Sequence, residues 1–132
     1  MKKTKLFLFS LCAILLLSSC NSSKKHLETP EDATKVFVQA FYTADFDALY
    51  KCTVQNNRPI IQQIQKLTTS QKGKQEQMQK NEVEIKDVKC ISQDDSIAEC
   101  QCVFLFNKNE KDITYNLRKE DGNWHVDLSI QY

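Results

Sequence analysis

The residues best suited to chemistry in this chain are six cysteines, two histidines and a scatter of carboxylates. Cys100-Gln101-Cys102 places two thiols one residue apart. With Cys90 and His125 they make a formal set for a redox pair or a zinc site. The spacing argues against both, since common redox and zinc motifs separate their cysteines by two residues. Asp45 and Asp47 form a second candidate, a carboxylate pair fit for acid–base work. Both fall between helical patterns, where helix caps and solvated turn acids account for them. His125 falls on the polar side of an alternating strand pattern, a place for solvent or cross-strand contacts. No catalytic residue and no metal ligand is assigned, and no cofactor is expected.

Something must position these residues, and the N-terminus says where. Lys2, Lys3 and Lys5 precede an apolar run from Leu6 to Leu17, followed by Ser18 and Ser19, the three zones of an export signal. The run is about 18 Å long as a helix, against roughly 30 Å of hydrocarbon in a bilayer, so it is too short to span. Leu17-Ser18-Ser19-Cys20 resembles the bacterial lipobox, in which the cysteine receives a diacylglycerol and becomes the new N-terminus. That resemblance implies lipidation at Cys20, with residues 1–19 as signal peptide. Residues 20–28 are polar and aperiodic, a tether. Asn21 stands where lipoproteins retained in the inner membrane usually carry Asp, and the tether lacks the acidic tag of surface-exported lipoproteins. The expectation is a lipid-anchored cell-envelope protein, at the outer membrane and facing the periplasm.

Removing residues 1–19 takes three lysines and no acid from the 18 basic and 17 acidic residues, which leaves a net charge of about −2. No basic face remains, so nucleic acid is not an expected partner. With Cys12 removed and Cys20 acylated, Cys52, Cys90, Cys100 and Cys102 remain, an even set in an oxidising compartment.

Residues 29–132 read as one domain. Thr29-Pro30-Glu31-Asp32 starts a helix with cap, proline and acids in their favoured places. Ala33, Val36, Phe37, Ala40, Phe41 and Ala44 then recur at helical spacing. Asp45 caps a short second helix ending near Cys52. Ile60, Ile61, Ile64 and Leu67 mark a third helix, and the Gln- and Lys-rich stretch around Gly73 has little to bury. From Val83 the period becomes two, with strands expected at 83–92, 97–107, 112–119 and 123–131. Asp121-Gly122 is a strong hairpin signal. Helices followed by a meander predict an α+β domain, with N-terminal helices packed on a curved four-stranded antiparallel sheet.

Three stretches, Pro30-Glu31-Asp32-Ala33, Phe41 to Leu49, and Lys119-Glu120-Asp121-Gly122-Asn123-Trp124-His125-Val126, resemble the NTF2-like cone fold. More narrowly they resemble small lipoproteins of Bacteroidetes carrying that fold. These motifs are structural and identify a fold, not a function. On this fold Phe37, Phe41, Tyr115 and Trp124 are candidates to line a cone-shaped pocket, although such residues more often fill a core. Strand register favours Cys90 with Cys100 and Cys52 with Cys102; the exchange, Cys90 with Cys102 and Cys52 with Cys100, is nearly as good. The functional expectation is a non-enzymatic, membrane-anchored binding or interaction domain whose partner is an envelope protein or a small apolar ligand. The alternatives are a small isomerase or dehydratase working in an apolar cone, and an inhibitor of an envelope hydrolase.

Overall fold

The computed structural model describes residues 27–129. The signal, Cys20 and most of the tether therefore lie outside the described residues, as do Ile130, Gln131 and Tyr132. Helix α1 spans Pro30–Tyr42, with the Thr29 hydroxyl accepting the Asp32 N–H at 3.1 Å. It buries Ala33, Thr34, Phe37, Val38 and Ala40, while Val36 and Phe41 flank the buried face. Ala44 takes a left-handed φ of 56°, and the Asp45 N–H closes the turn onto the Ala40 carbonyl at 2.9 Å. Asp45 then caps α2, Phe46–Cys52, by accepting the Ala48 N–H at 3.2 Å.

After α2 the chain touches the sheet. Thr53 forms a parallel bridge to Val126, and the Val54 N–H donates to the Val126 carbonyl at 3.0 Å. A 3-10 turn at Gln55–Asn57 leads into α3, Arg58–Ser70. Of the expected apolar edge of α3, Ile61 is buried and Ile64 partly so, whereas Ile60 is 40% and Leu67 58% exposed. At 100° per residue, positions 60 and 67 turn away from the face that carries 61, 64 and 68. Helix α4, Lys74–Gln79, follows Gly73 at φ 79° and buries none of its residues, with Met78 packed only at the core's margin.

The sheet is a meander in the order β1-β2-β3-β4, all antiparallel. Its strands are β1 (Val83–Ser92), β2 (Ile97–Phe106), β3 (Asn109–Glu120) and β4 (Asn123–Asp127). Strand β3 begins earlier than its apolar alternation indicates. A two-residue turn with Asn107 at φ 48° and Lys108 at φ 70° pairs Asn109 directly with Phe106, bringing polar residues into the ladder. Edge strand β1 has a bulge between Ile85 and Asp87 and exposes Lys86 and Lys89, features that discourage further strand addition.

One face of β2, with Ala98, Cys100, Cys102 and Phe104 all buried, meets α1. Leu117, Trp124 and Val126 extend that face across β3 and β4. Burying each of Phe37, Phe104 and Leu117 contributes about 1.5–3 kcal/mol. The result is the expected α+β architecture of helices on a four-stranded antiparallel sheet.

Candidate functional site

The cysteines divide by their position on β2. Cys90 and Cys100 are register partners with Cα atoms 4.0 Å apart and form a disulfide. Cys102 keeps a free, buried thiol, so the expected Cys52–Cys102 bridge is absent. The reason lies in where α2 lands. Its C-terminus meets β4 at Val126, in the row Val126, Leu117, Ala98, whereas Cys102 sits four residues further along β2 between Val88 and Ile113. That offset is about 13 Å along the strand, well beyond disulfide reach. Burial pushes the Cys102 thiol up to about 11, and the nearby Asp87 carboxylate adds to the effect. Cys52, buried at the end of α2, has its sulfur 3.7 Å from the Leu49 carbonyl.

The proposed pocket-lining residues are packed against their neighbours. Phe37 stacks on Phe41 with centroids 5.6 Å apart and meets Tyr115 edge-on at 5.3 Å. Tyr42 bridges Phe104 and Phe106 at 5.1 and 5.0 Å. Trp124 is buried in the same cluster. The Tyr42 and Tyr115 hydroxyls hydrogen-bond to each other, and burial raises both above the usual phenol range. These aromatics pack together between α1 and the sheet, and none of them lines the polar cleft at α2.

A polar cleft of about 960 Å³ opens elsewhere, between α2 and the β3–β4 turn. Asp47, Tyr50 and Lys51 occupy one face of α2 through their i, i+3, i+4 spacing, and Thr53, Gln55 and Arg58 continue that wall. The opposite wall is Glu120, Asp121 and His125. Asp121 at φ 52° and Gly122 at φ 80° make the tight turn that places the two acids there. The Gln55 N–H donates to Glu120 Oε1 at 3.2 Å, a direct link between the walls.

Arg58 lies 5.8 Å over the Tyr50 ring, whose hydroxyl donates to Gln65 Oε1 at 2.9 Å. This cation–π contact orients the guanidinium without neutralising it. His125 Nδ1 is 3.0 Å from the Asn123 carbonyl, which favours the proton on Nδ1 and leaves Nε2 as an acceptor. Among the described residues the ion pairs are Lys86–Glu84, Lys89–Asp87 and Arg118–Asp127, so none of the charged groups of the cleft is spent on a salt bridge. Among the described residues, no group of three or more His, Cys, Asp and Glu side chains could hold a metal ion.

Of the residues singled out from sequence, Asp47 and His125 are brought to this cleft and Asp45 is a cap. Sequence reading missed Tyr50, Lys51, Gln55, Arg58, Glu120 and Asp121. The helical spacing of Asp47, Tyr50 and Lys51 was a usable signal. The convergence of α2 with a turn some 70 residues away was not.

No family model matches the chain, and no curated protein matches it in sequence. Among solved structures, a Campylobacter jejuni protein described as a candidate NTF2-like transpeptidase has a similar fold. The TM-score is 0.53 at 20% identity, over 76% of this chain and 99% of that one. At that identity the likeness is one of architecture, and it agrees with the helices-on-sheet arrangement seen here. The described domain has the NTF2-like fold.

Proposed function

We propose that this chain is a membrane-anchored envelope lipoprotein of the Bacteroidetes type, whose NTF2-like domain binds a partner through the polar cleft and carries out no reaction of its own. In this reading residues 1–19 are the signal, Cys20 carries the lipid, residues 20–28 are the tether and residues 29–132 the binding domain. The observation that carries it is the contrast between two places in the fold. Phe37, Phe41, Tyr115 and Trp124 pack against one another in the helix–sheet interior, while the cleft presents charged side chains that form no salt bridge among the described residues.

The transpeptidase name of the structural neighbour gives little support to an enzyme here. Acyl transfer needs an activated nucleophile. Thr53, which lines the cleft, is 3% exposed and donates its hydroxyl to the Leu49 carbonyl at 2.7 Å. Cys102 is buried and its thiol is held protonated. An isomerase working in the cone would need space that the aromatic cluster occupies.

The position of the tether root supports an anchored binder. The Trp124 N–H donates to the Leu27 carbonyl at 2.8 Å, fixing residue 27 beside the strand that carries His125. From Cys20 to Leu27 the chain spans at most about 25 Å, so the cleft would work close to the bilayer. Two measurements test the reading. Mass spectrometry of the processed protein should find a diacylglyceryl group on Cys20 that Cys20→Ala lacks; an unmodified terminus in the wild type contradicts the anchor. A photo-crosslinking residue at Gln55 should yield one defined adduct in intact cells, and the same residue at Lys89 on β1 should not. Equal yields from the two positions contradict the cleft.

A further inference from the structure

We propose that the cleft recognises a compact zwitterion, a short peptide with a free ammonium group at one end and a free carboxylate at the other; this rests on the binding reading above and names its ligand class. Asp47, Glu120 and Asp121 face the cleft together with Lys51 and Arg58. Among the described residues none of the five forms a salt bridge, although both signs line one cavity. A polyanion or an anionic surface meets three carboxylates there, and a simple cation meets two fixed positive groups. A ligand carrying both signs satisfies both sets.

The chemistry of the lining groups distinguishes the ends. Arg58 is held over the ring of Tyr50, and Tyr50 is itself tied to Gln65, so the planar guanidinium is preorganised for the two oxygens of a carboxylate. Lys51 on the neighbouring turn of α2 adds positive charge. The ammonium end has Asp47 on one wall and Asp121 on the other. Glu120 already accepts the Gln55 N–H through Oε1, and its second oxygen remains for the ligand. The Gln55 side chain and His125 also line the cleft and match the donors and acceptors of a peptide amide. A volume of about 960 Å³ accommodates a peptide of a few residues.

Calorimetric titration of the purified, processed protein in detergent with trialanine tests this, beside its N-acetyl form, its C-terminal amide and phosphoethanolamine. Trialanine should bind with a Kd of about 1 mM or tighter. Capping either end should weaken binding about tenfold, the scale of one charge-assisted hydrogen bond. Arg58→Gln should reduce the difference between free acid and amide, with Lys51 keeping the remainder, and Asp121→Asn should reduce the difference between free amine and acetyl form, with Asp47 keeping the remainder. Both positions are exposed, and unchanged circular dichroism confirms that the variants fold. Equal binding of the three peptides, no binding of trialanine, or tighter binding of phosphoethanolamine would each overturn the inference. If trialanine fails while the Gln55 crosslink persists, the binding reading stands and the ligand class falls. If both fail, both fall.

Discussion

The side-chain oxygen of Asn57 accepts the N–H of Leu128 at 2.7 Å, joining the end of the helical turn before α3 to the chain leaving β4. Asn57 is 1% exposed, so the acceptor side of this part-buried bond is shielded from water. Removing the acceptor leaves the Leu128 N–H without its protein partner in a part-buried place. Asn57→Ala should therefore cost about 1–3 kcal/mol, read as a lower urea midpoint with an unchanged slope. A midpoint equal to wild type would show that another group takes over the Leu128 N–H.

The Cys90–Cys100 bridge closes the β1–β2 hairpin across ten residues of sequence. Constraint of the unfolded chain by a loop of this size is worth about 2–3 kcal/mol. The double variant Cys90→Ala/Cys100→Ala should lose that amount in urea, and wild type under reducing conditions should lose most of it. Cys52→Ala should show the same loss on reduction as wild type, since the bridge is complete without Cys52.

Cys102 gives a pH dependence with a definite sign. Its thiol is raised from 9.0 to about 11 by burial, so the unfolded chain loses this proton before the folded one. Stability from this group is full below pH 9 and is lost as pH rises from 9 towards 11. Tyr42 and Tyr115, raised by burial from 10.0, act in the same direction. Thermal melts should fall steeply above pH 9, and Cys102→Ala should flatten the start of that fall. At pH 7.5 a thiol reagent should label Cys102 in denaturant and spare it in the native protein.

Gly122 sits at φ 80°, and a Cβ added there meets nothing within 4 Å. The cost of Gly122→Ala is therefore conformational, about 1 kcal/mol. It should appear as a small loss of thermal stability, together with a change at the cleft, because Asp121 shares the turn.

Much of this architecture was legible from residue spacing, and the exceptions have physical causes. Thr29 and Asp45 cap where their types and positions indicate, because a cap depends only on the first turn. Cys90 opposite Cys100 follows from the loop between β1 and β2. The Cys52–Cys102 expectation failed because the row of β2 that faces the end of α2 is set by the Thr53–Val126 bridge, a contact between distant segments. Asn57 and Asp127 look like loop and surface residues in sequence. Burial reveals them as a clamp, with the Asp127 side chain only 3% exposed, 3.3 Å from Arg118, and accepting from the Ser129 N–H and hydroxyl. The cleft was half visible, in Asp47 and His125, and its Arg58–Tyr50 arrangement appeared only with the tertiary fold.

The central claim is that ligands meet this domain at the α2 and β3–β4 cleft and not inside the helix–sheet core. Amide chemical-shift mapping of the processed protein, titrated separately with trialanine and with anilinonaphthalene sulfonate as an apolar probe, tests it most directly. The account predicts saturable shifts from trialanine confined to Asp47–Arg58 and Glu120–His125, with Phe37, Phe104 and Tyr115 unmoved by either compound. Saturable shifts at Phe37, Phe104 and Tyr115 with the apolar probe, and none at the cleft with the peptide, would contradict it.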